Sequence, residues 1–437
     1  MITMYLKRYN TYMQKKILAA GISLLTICSL TLTAAAENEH PDNAPDIASE
    51  YVYLVDTGNG QVIWSLNSED RMYPASMTKL MTEILAIEAL SDKDERIMIT
   101  SEMAAGLFEA NASVAGYQIG DEPTVRDLLY GTALASGAEC VNALAIRIDG
   151  SVPAFVDHMN RKAEELGMHD THFVNPTGLH DGDHYSTCRD IETLFSYCYQ
   201  NEFFRELLGK RTYLSTPVAS NPNGIPMEST VWSMIKDLPV PGFAGGKTGF
   251  TYPAGRCLAS GAEINGMDLV LITGKAPNDP ASAVNDAMTV YGWLSEHMSR
   301  RELIPAGDML AKIPVIDSKT EYITVYSDES FSRDVLDSED IRVTADFPQE
   351  ITAPVSQGEH LGTIRVYSGD TVLYEYDFEI EEDISYSRLV HVRRILNEIY
   401  SSHPYLCRGA VLTAGLLIIL LVSRITAGRK RRRRRRR

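Results

Sequence analysis

What the chain lacks narrows its function before any motif is considered. Its six cysteines are Cys28, Cys140, Cys188, Cys198, Cys257 and Cys407. No two stand at the short paired spacing of a zinc site, and their pattern is not that of a disulfide-rich scaffold. Those away from the termini, Cys140, Cys188, Cys198 and Cys257, are expected to be buried free thiols. No acidic residue precedes Glu37 and none follows Ser423, so all 58 lie between them. That stretch is strongly acidic and repels nucleic acid. Internal repeats are absent. The only low-complexity segment is the basic end, Arg429-Lys430 followed by an unbroken arginine run to Arg437.

Long apolar runs are confined to the two ends. Lys15 and Lys16 precede an apolar run over residues 17–32, closed by Ala34-Ala35-Ala36. A basic start, an apolar middle and a small-residue exit predict a secretory signal over 1–36, cleaved near Ala36. Residues 37–48 follow as a polar linker. At the other end Arg408 and Arg424 bracket an uncharged stretch, so 405–427 is expected to span a membrane with its arginines reaching the interface. The basic tail, 428–437, is then cytoplasmic and all that precedes the span is outside. The expected location is the cell membrane, with the globular part on its outer, cell-wall side.

Between the ends, two textures alternate. Residues 51–55 and 61–66 read as strands joined at Asn59-Gly60, a hairpin turn. Apolar residues recur at helical spacing through 74–90. Helical stretches are expected at 125–148, 152–166 and 190–208. Strands return at 255–264 and 267–273, joined by Asn265-Gly266, and a closing helix is expected at 288–298. This order predicts one sheet flanked by helices, with its first and last segments sharing the sheet. The catalytic domain is set at 49–302. Residues 303–385 lack helical periodicity and read as a small β-rich domain. Within 386–404, Leu389, Val392, Leu396 and Ile399 fall on one helical face, as in an amphipathic stalk.

Two patterns carry chemistry. Ser76-Met77-Thr78-Lys79 opens a helix, so the hydroxyl and the amine share a face. Serine becomes a nucleophile only when a base takes its proton. Lysine is such a base when a helix N-terminus, desolvation or a second cation lowers its pKa. The pattern is weak alone: Ser233-Met234-Ile235-Lys236 repeats it without opening a clear apolar helix, and is set aside. The second pattern is Lys247-Thr248-Gly249 after Gly245-Gly246. It offers a cation, a hydroxyl and a strand edge that a peptide can approach closely.

Ser-x-x-Lys, a middle serine and Lys-Thr-Gly, in that order, mark penicillin-binding proteins and class A β-lactamases. Residues 73–82 (Tyr73-Pro74-Ala75-Ser76-Met77-Thr78-Lys79-Leu80-Met81-Thr82) resemble the nucleophile segment of the D-alanyl-D-alanine carboxypeptidases. These are the low-molecular-mass penicillin-binding proteins of peptidase family S11. Leu128-Leu129-Tyr130-Gly131, Asn175-Pro176-Thr177-Gly178-Leu179-His180, His184-Tyr185-Ser186-Thr187 and Gly246-Lys247-Thr248-Gly249-Phe250-Thr251 extend the likeness over about residues 50–300.

The resemblance implies an α/β (α+β) fold of the penicillin-binding, serine β-lactamase-like transpeptidase type, with a small C-terminal all-β domain and a C-terminal transmembrane helix. It implies removal of the terminal D-alanine from peptidoglycan stem peptides, inhibition by β-lactams, and no cofactor or metal. By position, Ser76 forms the acyl-enzyme, Lys79 is the general base and Ser136 relays protons. Lys247 with Thr248 holds the terminal carboxylate, and Gly249 and Phe250 complete the substrate-binding set. The N–H groups of Ser76 and Phe250 make the oxyanion hole.

Two positions depart from the family pattern. The middle motif is usually Ser-x-Asn, but here it reads Ser136-Gly137-Ala138-Glu139-Cys140, without the amide. The arginine often found downstream of Lys-Thr-Gly has no match near Ser282, and Lys275 is the nearest cation. A catalytically weakened or inactive envelope protein that binds stem peptide or penicillin is therefore the alternative, with a β-lactamase third. Glu139 is expected to be a surface or capping carboxylate. The His180-Asp181-Gly182-Asp183-His184 run is expected to be a loop rather than a metal site.

Overall fold

The computed structural model describes residues 40–41, 43–235 and 242–434. The expected signal at 1–36, the start of the linker, Cys28, Lys236 and the last three arginines lie outside them. The chain divides into two compact units. The first comprises residues up to Arg300 together with Asp334–Asp337, and the second comprises Arg301–Arg333 and the chain from Ser338 onward.

The first unit is built on a five-stranded antiparallel sheet. Its strands are β1 (Tyr51–Asp56), β2 (Gln61–Leu66), β3 (Phe243–Thr251), β4 (Gly255–Ile264) and β5 (Met267–Ala276). They lie in the order β2-β1-β5-β4-β3. The N-terminal hairpin therefore joins the C-terminal one, with Val52 opposite Thr273 and Leu54 opposite Leu271. Both hairpins turn where Asn-Gly predicts. At the second, Asn265 and Gly266 both take positive φ, 51° and 81°, the twist that a two-residue hairpin needs.

Side chains alternate across this sheet. Tyr53, Val55, Val270 and Ile272 face one apolar cluster, while Val52, Leu54, Leu269 and Leu271 face another. The first cluster is covered by α1 (Lys79–Ala89), which is buried along most of its length, and by α5 (Cys188–Tyr199). The second is covered by α7 (Ser282–His297). Between α1 and α5 come α2 (Val125–Ala133), α3 (Ala138–Asp149) and α4 (Val152–Glu165), and α6 (Glu202–Gly209) follows α5. A third cluster, including Leu128, Leu129, Ala143, Leu144 and Leu207, holds α2, α3 and α6 together.

Three expected boundaries are corrected. The helix expected over 125–148 is two helices, broken where Ser136 adopts φ 57°. The helix expected over 190–208 breaks before Asn201, whose side chain accepts from the Phe204 N–H and starts α6. The closing helix begins at Ser282, six residues before the expected 288. Its first turns bury Ala283, Val284 and Ala287, whose small side chains give a weak periodic signal. Cys140, Cys188, Cys198 and Cys257 are buried free thiols.

An ion cluster ties the hairpin end of β1 to the end of this unit. The Arg300 guanidinium reaches Asp56, and its Nε lies 3.1 Å from Asp334 Oδ1, with both carboxylates inaccessible to solvent. Arg300→Ala strands two buried negative charges. It is expected to cost about 3–5 kcal/mol, read as a fall in the urea midpoint. An unchanged midpoint would show that the carboxylates need no cation.

The second unit contains two small β-sheets. One orders Tyr322–Tyr326, Met309–Ile316 and Ile351–Thr352, and the other Ile341–Asp346, His360–Ser368 and Thr371–Glu379. Ile313, Val315, Val325, Leu361, Ile380 and Ile384 form its core. Two helices end the chain, α8 (Arg388–Ser402) and α9 (Pro404–Arg434). Leu389 and Leu396 on α8 are well exposed. Among the described residues, no helix is long and apolar enough to cross a membrane.

Candidate active site

Ser76 lies on a 3-10 turn, Ala75–Thr78, that runs directly into α1. The turn opens with Ala75 at φ 47°, in the left-handed region, a strained conformation of the kind concentrated at functional positions. The loop carrying Gly178 packs against its backbone. A Cβ on Gly178 would stand 1.9 Å from the Ala75 carbonyl oxygen, so only glycine fits.

Lys79 Nζ lies 2.8 Å from Ser76 Oγ and 2.5 Å from the carbonyl oxygen of Thr177. Lys79 is buried, and this burial, with the charge of Lys247 beside it, holds its amine well below the ordinary lysine value. A neutral amine has a lone pair for the Ser76 proton and N–H groups for a carbonyl. The two partners of Lys79 match those two needs.

The other motifs meet in the same place. Lys247 is fully buried on β3, and its Nζ donates to Ser136 Oγ at 3.0 Å. Burial pushes its pKa down. The break between α2 and α3 sets Ser136 at the corner that faces Lys247. Thr248 Oγ1 lies 2.8 Å from Thr230 Oγ1. Among the described residues β3 pairs only with β4, so its other flank is an edge. A Cβ on Gly249 would meet the Pro74 carbonyl oxygen at 2.9 Å and the Ser76 nitrogen at 3.2 Å. Glycine there brings the strand against the nucleophile's backbone, with Phe250 next along it.

Several contributors lie in segments that carry the resemblance but receive no role from it. Asn175 Oδ1 accepts from the Thr177 N–H, the Thr177 hydroxyl and the Gly178 N–H at 3.2, 2.9 and 2.8 Å. It thereby aims the Thr177 carbonyl at Lys79. Asn followed by Pro-Thr-Gly is an Asx-turn signal, which could have revealed this role. His184 Nδ1 accepts from the Val174 N–H at 3.1 Å, which leaves Nε2 to donate to Thr78 Oγ1 at 2.7 Å. Burial lowers the pKa of His184 to about 4, so the ring is neutral. Thr82 donates to the Pro176 carbonyl at 3.0 Å. One face of the nucleophile helix is thus stitched to a single loop. Asn175→Ala releases three donors and is expected to slow penicillin acylation ten- to hundredfold, about the effect of a 1 Å misplacement. An unchanged acylation rate would remove Asn175 from this role.

Other expectations resolve as follows. Glu139 is buried rather than on the surface. Its Oε1 accepts from the Gly116 and Tyr117 N–H groups at 2.8 and 3.3 Å, so it caps a loop. Ala138 is buried and offers no amide to Lys79. Lys275 pairs with Glu50 at 2.6 Å. Ser233 lies inside the short helix Thr230–Ile235 and donates to the Thr230 carbonyl. His180 packs edge-on against Tyr73. Among the described residues, no three His, Cys, Asp or Glu side chains are placed to hold a metal ion.

An amine whose proton affinity is lowered by burial, one turn from a hydroxyl, is the arrangement of an activated serine in an acyl-transfer enzyme. Comparison with known proteins narrows that class. The family described as D-alanyl-D-alanine carboxypeptidase matches residues 37–278, and the one described as Penicillin-binding protein 5, C-terminal domain, matches residues 299–386. The chain is 30% identical over 386 residues to the D-alanyl-D-alanine carboxypeptidase DacF of Bacillus subtilis, covering 84% of this chain and 93% of the relative. Its fold is similar to the crystal structure of the D-alanyl-D-alanine carboxypeptidase DacD from Francisella tularensis. The TM-score is 0.65 at 22% identity, over 82% of this chain and 98% of that one. Penicillin-binding protein 5 from Haemophilus influenzae gives 0.60 at 21% identity, over 79% and 100%. The chain belongs to the D-alanyl-D-alanine carboxypeptidase family of serine hydrolases. It has the mixed α+β penicillin-binding fold with a C-terminal all-β domain.

Proposed function

We propose that the protein removes the terminal D-alanine from peptidoglycan stem peptides through an acyl-enzyme on Ser76. The substrate lies along the free edge of β3, with its terminal carboxylate at Lys247 and Thr248 beside Gly249. Ser76 Oγ attacks the carbonyl between the two D-alanines and its proton passes to Lys79. The N–H groups of Ser76 and Phe250 donate to the developing oxyanion. Ser136 relays a proton to the leaving amine, D-alanine departs, and water hydrolyses the ester. β-Lactams acylate the same hydroxyl.

The observation that carries this reading is the 2.8 Å approach of a buried, deprotonatable Lys79 to Ser76. The test is release of D-alanine from a D-Ala-D-Ala peptide, together with stoichiometric fluorescent-penicillin labelling mapped by mass spectrometry. A label on the peptide bearing Ser76, with D-alanine released, supports the reading. A label elsewhere, or none, ends it.

A second reading comes from Ala138, which stands where the family has an amide. A binding protein with little turnover would take the label at Ser76 and release no D-alanine. Loss of the label within seconds would instead favour a β-lactamase.

The wider organisation belongs to the same proposal. A signal (1–36) and linker (37–48) lead to a catalytic domain (49–302) and a β domain (303–385). A stalk (386–404), a membrane-spanning helix (405–427) and a cytoplasmic tail (428–437) complete it. The support is the exposed apolar face of α8, the exposed Leu412 and Leu416–Leu421 stretch of α9, and the basic tail beyond. Retention in the membrane pellet after alkaline extraction supports an anchor, and release counts against it.

A further inference from the structure

Glu83 lies one turn beyond Lys79 on α1. It is wholly buried, and neither carboxyl oxygen has a hydrogen-bond partner among the described residues. An interior carboxylate without partners is among the costliest groups a fold can hold. Neighbouring carboxyls are not in this position. Glu139 binds two backbone N–H groups, Asp127 accepts from Thr216 and Tyr213, and Glu206 accepts from Tyr130. Residues at i and i+4 share a helical face, and side chains lean toward the helix N-terminus. The Glu83 chain therefore leans back toward the turn that carries Lys79.

The groups around it are few. Lys79 stands on its own helix, Lys247 on β3 and Cys198 on α5. Glu139 and Cys140 on α3 act on Lys79 from the other side. The charged groups of the remaining neighbours are committed elsewhere: Asp127 of α2 and Glu206 of α6 as above, and Lys162 of α4 to Glu88. Glu83 is thus a buried carboxyl one helical turn from Lys79 and within electrostatic reach of Lys247. Burial pushes its pKa up to about 8, with Lys247 and then Lys79 pulling it back only in part.

We propose that Glu83 is a positioning residue that sets the proton affinity of Lys79 and Lys247, and so places both limbs of the pH–rate profile. When ionised, it steadies Lys79 after that amine has taken the Ser76 proton, and it helps Lys247 keep its charge. It does not touch substrate. The proposal rests on acylation of Ser76 with Lys79 as base.

The test is the pH dependence of penicillin acylation, and of kcat and KM for a D-Ala-D-Ala peptide, in wild type and Glu83→Gln. Removing the carboxyl weakens the hold of both amines on their protons. The acid limb, set by Lys79, and the alkaline limb, set by Lys247, should both move to lower pH by about one unit or more. The rate at the displaced optimum should stay within about tenfold of wild type. Should Glu83→Gln fail to fold, Glu83→Met fills the same space without charge and gives the same readout. A profile that superimposes on wild type, or one that sinks equally at every pH without moving, overturns the proposal. Failure of the wild type itself to take penicillin at Ser76 sinks the acyl-enzyme reading instead, so the two failures are distinct.

Discussion

Ser76→Ala is expected to abolish both penicillin labelling and D-alanine release, the latter by on the order of a millionfold, the scale for losing the nucleophile of a serine hydrolase. The substitution removes one oxygen at a half-buried position and leaves Lys79 its bond to Thr177, so folding should be preserved. That combination makes it informative. A folded Ser76→Ala protein that still binds penicillin reversibly separates recognition by Lys247 and Thr248 from covalent chemistry. If it still forms a covalent adduct at the wild-type rate, another residue is the nucleophile and the assignment is wrong. Ser136 would be the first alternative, since Lys247 already donates to its hydroxyl.

Lys79→Met is expected to slow acylation by about 10²–10⁴, the range for loss of a positioned general base. The same variant should show an opposite signature in stability. Burial and Lys247 depress the folded-state pKa of Lys79 below its ordinary value of 10.5. Between the two values the unfolded chain holds more protons at this position than the folded protein does. Wild-type stability contributed by Lys79 therefore rises with pH across that window. Lys79→Met lacks the group and lacks the rise. The stability of wild type relative to the variant should thus increase as pH rises from the lowered folded-state value toward 10.5, with a slope of up to about 1.4 kcal/mol per pH unit. Parallel stability curves would mean that Lys79 keeps its proton when folded, and it could not then serve as the base.

Much of this architecture was legible in the residues, and the gaps have physical causes. Asn59-Gly60 and Asn265-Gly266 announced both hairpins because Gly60, and Asn265 with Gly266, take the positive φ that few other residues tolerate. The α2–α3 break was hidden because apolar residues continue through it: Leu134 and Ala138 are as buried as their helical neighbours. Nothing in a serine's identity shows that it will adopt φ 57°. At the site, Ser76, Lys79 and Lys247 were legible from spacing and order. The Thr177 carbonyl was not, since a backbone acceptor leaves no trace of residue type. Glu83 was missed for the opposite reason. A glutamate on an amphipathic helix is ordinarily solvated, and only the burial of α1 on all sides makes this one exceptional. Lys275, the nearest cation to the position of the absent arginine, is paired with Glu50, a partner that sequence spacing does not show.

Among the described residues, β3 has a neighbouring strand on one flank alone. On the proposed reading, the peptide supplies the sixth strand of the sheet for as long as it is bound. Main-chain pairing of this sort ignores side-chain identity, so the residues upstream of the scissile bond can vary widely in size and charge. Discrimination falls instead on the last position, where a chain that continues past the terminal carboxylate would run into Lys247 and Thr248. The enzyme should therefore be permissive along the stem and strict at its end, trimming many muropeptides by a single residue and stopping there.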